Sequence, residues 1–156
     1  MNRLGLTLHP AKTWVRDAWK ETFDFLGYTF GQQMVYTRRG VRQMDARPSK
    51  RSIARMKRKL HEVLQPWNTG SWSEVVERVN RMVVGWSNYF HHGTLYFAYR
   101  AVDNHLYGRV RHFLRRRHKV RSGGRTLLPT GKSLQDWGIV RLLDLHRRRR
   151  PARALG

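Results

Sequence analysis

The chain has 156 residues, 40% of them hydrophobic, including six Trp, six Tyr and six Phe. That is enough for one domain with a modest core, and it excludes disorder throughout. Lys and Arg number 32 against 10 acidic residues, a formal +22, and with no Cys there is no disulfide framework or cysteine metal site. So large an excess repels itself in a compact state unless an anionic partner neutralises it. Arginine outnumbers lysine 25 to 7, which favours bidentate phosphate contacts and stacking on bases. No apolar run of membrane-spanning length, signal-peptide pattern or lipidation motif is seen, so nucleic acid is the expected partner rather than a membrane. The expected setting is intracellular, in a bacterial cytoplasm or an organelle.

In chain order, Leu4, Leu6 and Leu8 alternate with Gly5 and Thr7 as a short strand signal that Pro10 ends. Phe23 to Phe30 reads as a strand, Gly31-Gln32-Gln33 as a turn and Met34 to Thr37 as a second strand. Arg38-Arg39-Gly40 is expected to turn into a weak third strand over Val41 to Met44, and Pro48 marks the change to helix.

Three amphipathic helices are predicted next, over about 49–65, 72–90 and 95–117. In the first, Ile53, Met56, Leu60, Val63 and Leu64 share one arc, while Arg51, Arg55, Arg58 and Lys59 point the other way. The second opens on Ser71 with Glu74 three residues on, a capping-box pattern, and its apolar arc runs from Trp72 through Val79 and Val83 to Trp86 and Phe90. The third carries Tyr99, Val102, Leu106, Val110 and Phe113 as a stripe, with Arg109, His112 and Arg116 away from it. Short glycine-containing turns between them imply a small bundle. Residues 119–133 read as a loop, and 134–145 as one short element around Leu134, Trp137, Ile139, Leu142 and Leu143. His146 to Gly156 reads as an arginine tail, disordered when unbound. The fold class expected is mainly α with a small antiparallel β-meander, organised as residues 1–46, a helical domain over 47–118, and a basic loop and tail over 119–156.

Several stretches resemble one family in order and spacing. Leu4 to Thr13 looks like the reverse-transcriptase palm motif that places a lysine near the incoming nucleotide, and Phe23 to Phe30 resembles the primer-grip hairpin after it. Pro48-Ser49-Lys50 opening a basic helix is similar to the thumb, or maturase-specific domain, of group II intron proteins. So are Gly85-Trp86-Ser87-Asn88-Tyr89-Phe90, Asp103 and Arg116-Arg117-His118. The resemblance implies a three-helix thumb/maturase bundle preceded by a β-hairpin from the end of the palm. The family are RNA-directed DNA polymerases that also bind structured intron RNA and help it splice.

One departure limits what the resemblance carries over. The family's polymerase chemistry uses paired aspartates holding metal ions in a Tyr-x-Asp-Asp turn that precedes this region. This chain has no adjacent acidic pair, so it is expected not to polymerise DNA alone. No cofactor is expected for it, Mg²⁺ belonging to the full-length family polymerase. Lys12 would be catalytic only if a palm-containing reverse transcriptase chain completes the site; otherwise it is a solvated lysine. Phe25, Leu26 and Gly27 line a primer path or form hairpin core.

For Trp86 and Phe90, the apolar arc favours core packing over base stacking, and Asp103 favours a structural salt bridge to an arginine. The eight histidines offer no converging ligand set for a metal. The candidate RNA-binding residues are Arg51, Arg55, Arg58 and Lys59 on the first helix, then Arg109, Arg115, Arg116, Arg117, His118 and Lys119, then Arg147 and Arg148 in the tail. Such a face would recognise structured RNA, intron RNA by the resemblance, through shape, phosphate and 2′-hydroxyl contacts. The alternatives are the C-terminal part of a split or truncated reverse transcriptase active only with a palm-bearing partner, a non-functional remnant, or a ribosomal-protein-like RNA binder. The last gives no reason for the ordered motifs.

Overall fold

Pro48 and Ser49 set the start of the first helix. Proline disfavours helical backbone before it, and the Ser49 side chain accepts a hydrogen bond from the Ser52 amide at 3.2 Å, satisfying one of the orphan donors of the first turn. The structure is a computed structural model describing residues 17, 20–36, 42–119 and 134–149. The expected Leu4–Leu8 strand, Lys12, the Arg38–Gly40 turn, most of the 119–133 loop and the chain beyond Arg149 lie outside those residues.

Three strands, β1 (Phe23–Phe25), β2 (Tyr28–Tyr36) and β3 (Arg42–Pro48), form an antiparallel sheet in that order. The single strand expected over Phe23 to Phe30 is two, because the chain reverses at Leu26 and Gly27, leaving Phe25 opposite Tyr28. Both turn residues have positive φ, 47° and 81°, the requirement of the tight hairpin turns that match strand twist. The turn expected at Gly31–Gln33 is instead inside β2. There the register with β3 shifts between Phe30 and Met34, and Gly31 at φ 103° serves an irregularity in the ladder rather than a reversal. β3 continues to Pro48, beyond the Met44 end expected from sequence.

Behind the sheet stand α1 (Lys50–Val63), α2 (Trp72–Tyr89) and α3 (Tyr96–Arg117). Each buries the stripe its periodicity predicts: Met56, Leu60 and Val63 in α1; Val75, Val79 and Val83 in α2; Tyr99, Val102, Leu106, Val110 and Phe113 in α3. The Ser71–Glu74 capping box forms in both directions, at 3.2 and 2.9 Å. Backbone carbonyls of the sheet tie it to the bundle. The Gly27 carbonyl accepts from the Ser49 amide and the Ser52 hydroxyl, at 2.8 and 2.9 Å, and the Ala46 carbonyl accepts from the Thr94 amide at 2.8 Å. Glycine is required at 93, where φ is 81° and a Cβ would sit 1.8 Å from the Ala46 oxygen.

The last part of the chain departs from expectation. Residues 134–145 do not make one element: Leu134–Trp137 is a 3₁₀ turn, and α4 runs Leu142–Arg149. His146 to Arg149, expected in a disordered tail, complete that helix. Leu134, Trp137, Ile139 and Leu142 are buried in the same core as α1–α3, so a fourth short helix closes the bundle. Polar side chains of α2 and α3 hold it there. Asn80 of α2 donates to the Gly138 carbonyl and accepts from the Val140 amide, at 2.9 and 2.8 Å. Asp103 of α3 accepts from the Leu142 and Leu143 amides, at 3.0 and 3.1 Å. The salt bridge expected for Asp103 is therefore replaced by capping of α4. Burial raises its pKa above the usual carboxylate value, opposed by those two amides and by the Arg141 charge. The architecture is mainly α with a small antiparallel meander.

Candidate nucleic-acid interface

The sequence of α1 explains its outer face. Between Lys50 and Val63 its one acidic residue is Glu62, so the cations that its period turns away from the core have little local compensation. Arg51, Arg55, Arg58 and Lys59 are all exposed. Arg58 lies 3.8 Å from Glu62, a solvent-exposed pair of small energetic weight.

The α3 cations divide. Arg109 is half-buried and donates to the Leu64 carbonyl at 3.3 Å, tying off the C-terminal end of α1 rather than joining the open face. Arg117 donates to the Gly70 carbonyl at 2.7 Å and lies over the Phe113 ring, 5.8 Å from its centroid. Arg115 is half-buried, while Arg116, His118 and Lys119 are exposed. A cationic run here also complements the negative end of the helix dipole. In α4, Arg147 lies 3.8 Å from Asp144 and Arg148 is exposed. Arg149, not singled out in the sequence, donates to the Ser87 carbonyl at 2.5 Å and to the Asn88 side chain, pinning α4 to the end of α2.

Two groups of candidates that lie apart in sequence meet in space. Leu26 and Gly27, at the β1–β2 turn, share a cleft of about 590 Å³ with Arg55 and Lys59 of α1. Arg81, Gly85 and Tyr89, one turn apart on α2, form the opposite wall with Trp86. Phe25 and Leu26 are 59% and 68% exposed, so they are not hairpin core. Gly27 faces its own chain: a Cβ there would meet the Ser52 Oγ at 2.8 Å and the Phe90 ring at 3.2 Å. Phe90 is buried, whereas Trp86 is only partly so, packed 4.8 Å from Phe90 and 5.7 Å from Tyr99 between ring centroids. Trp86 therefore serves the core and lines the cleft at once. The cleft was missed in the sequence because its walls come from three elements; the signal available was a glycine in the middle of α2.

Burial pushes Tyr99 up to about 12, against the Arg149 charge, so its hydroxyl stays a donor, directed at the Phe90 carbonyl. Burial also lowers His105, reinforced by Lys57, Arg109 and His61, although a Lys57 backbone hydrogen bond opposes it. Among the described residues no three His, Asp or Glu side chains gather as a metal would need, and no helix is long and apolar enough to cross a membrane.

The class this defines is a strongly basic helical domain fronted by a small sheet. Residues 53–128, a stretch that takes in nearly all of α1 through α3, match the family model of the group II intron, maturase-specific domain. No curated protein matches the chain.

Proposed function

We propose that the chain binds folded group II intron RNA and stabilises its splicing-competent form, with no polymerase activity of its own. The observation that carries this reading is the exposed α1 face of Arg51, Arg55, Arg58 and Lys59 in a chain that matches the maturase-specific family model. A rigid helix presents these cations at a fixed spacing, as repeated contact with an A-form backbone requires. Compensating acid is scarce, so bound RNA would release counterions and relieve self-repulsion together. In this scheme the RNA supplies the chemistry of splicing, and the protein lowers the cost of bringing phosphates together.

Arg116, His118, Lys119 and Arg148 extend the cationic surface; Arg109, Arg117 and Arg149 hold the scaffold that displays it. The test is crosslinking of the purified protein to total RNA followed by sequencing of the attached RNA. Enrichment of group II intron sequence supports the reading, and recovery spread over unrelated RNAs in proportion to abundance defeats it.

A second reading is supported by the edge of the sheet. β1 has only three residues and leaves Phe25 and Leu26 uncovered, a surface suited to a palm-bearing reverse transcriptase chain. Co-purification with such a chain, together with primer extension by the pair and not by this chain alone, would establish it.

A further inference from the structure

We propose that the cleft between α1, α2 and the β1–β2 turn holds a single unpaired nucleotide of the bound RNA. The inference rests on the RNA-binding reading above and adds a site that a basic surface alone does not imply.

The first support is the chemistry of the walls. Arg55 and Lys59 stand one turn apart on α1 and Arg81 stands across on α2, while no carboxylate is among the described lining residues. Glu77 pairs with Arg81 at 2.5 Å from outside the cleft, leaving Arg55 and Lys59 as the stronger anion contacts. Between these cations the lining is aromatic, Trp86 and Tyr89, with Tyr89 53% exposed. A ligand with a planar apolar face and an attached anion satisfies both halves; an apolar peptide leaves the cations unmatched, and a paired base keeps its face inside the helical stack. About 590 Å³ is within the usual range of small-ligand pockets.

The second support is Gly85. A glycine in a helix interior costs stability relative to alanine, and those at 27 and 93 are explained by positive φ and close neighbours. Gly85 has neither reason: a Cβ there would meet nothing within 4 Å, and the open space is the cleft itself. Gly108 in α3 is equally open but is not part of this lining. The third support is the stiffness of the rim. The Tyr89 hydroxyl donates to the Leu26 carbonyl at 2.8 Å, and the Tyr28 hydroxyl donates to the Tyr89 carbonyl at 3.0 Å. The ring is thus held in place before any base arrives, which lowers the ordering cost of binding.

The experiment uses a single-stranded RNA oligonucleotide carrying one 2-aminopurine, whose emission is quenched on stacking, beside a fully paired RNA hairpin whose strands are joined by a non-nucleotide linker. The parent protein should quench the oligonucleotide. Gly85→Leu, which fills the cleft without a clash at Cβ, should abolish quenching and weaken oligonucleotide binding about tenfold, while melting no lower than the parent and binding the hairpin as before. Tyr89→Ala should lose quenching in the same way. Hairpin binding by the parent without quenching, or equal quenching by parent and Gly85→Leu, overturns the nucleotide site and leaves the RNA-binding reading standing. Failure of the parent to bind either RNA overturns both.

Discussion

Tyr28 and Tyr89 lock the hairpin to the second helix by a reciprocal pair of hydrogen bonds. The Tyr28 hydroxyl reaches the Tyr89 carbonyl, and the Tyr89 hydroxyl reaches the Leu26 carbonyl two residues before Tyr28. Their rings lie 6.3 Å apart, with Phe90 beside both. The sheet is thereby oriented against the end of α2, where the cleft opens. Tyr89→Phe keeps the ring and removes one of these bonds, so it should cost about 0.5–1.5 kcal/mol. A melting curve should register that small loss, and amide exchange at Ser49, which donates to the turn at Gly27, should accelerate.

RNA binding should weaken steeply with salt. Each neutralised phosphate adds roughly 0.7 to 0.9 to the log–log slope, so six contacts would give about −4 to −5. Titration of one structured RNA across a salt series measures it, and a flat dependence would remove the electrostatic basis of the proposed function.

Scaffold and surface should separate by mutation. Trp86 packs on Phe90 and Tyr99, so Trp86→Ala should cost about 3 kcal/mol, the low end for a large aromatic because the ring is only partly buried. Reversing charge at Arg51, Arg55 and Arg58 removes no core atoms and should leave the melting temperature nearly unchanged while lowering RNA affinity several-fold. Normal RNA binding by that triple variant would move the contact surface to α3 and α4.

Asp103→Ala should detach α4. The substitution orphans the Leu142 and Leu143 amides, at a cost of about 1–3 kcal/mol. Hydrogen exchange should rise at those two amides while the α1 core keeps its protection. Asp103→Asn retains one acceptor and should fall between.

Acidification should destabilise the fold through His105. Its folded pKa is held below the ordinary 6.5 by burial, then by the Lys57, Arg109 and His61 charges, and its Nε2 is buried without a partner. Near and below that value the unfolded chain binds more protons than the folded one, so stability rises with pH through the window and is lost as pH falls. Melting temperature should drop between about pH 7.5 and about pH 5.5, and His105→Gln should flatten the dependence.

The helices were readable in the sequence because their signals are local. A 3.6-residue apolar period and a capping residue lie within one or two turns of each other, so Ser71 with Glu74, or Leu60 with Val63, needs no knowledge of the rest of the chain. The net charge is likewise a property of composition, and with it the expectation of an anionic partner. The matching stretch of the family extends over those same helices.

What needed the folded chain were relationships between distant residues. Leu26 is a poor sequence signal for a positive-φ turn, and the reversal is found there because Phe25 and Tyr28 pair across it and Gly27 packs on Ser52 and Phe90. The arginines around 147 read as a tail disordered when unbound, because a charge run carries no local folding signal. Asp103, 39 residues before Leu142, gives that segment a helix start, and Leu142 gives it a buried anchor. The cleft joins Leu26, Arg55 and Gly85 from three elements. A period along one strand or helix says which way a side chain points, and only packing of one element on another says what it meets.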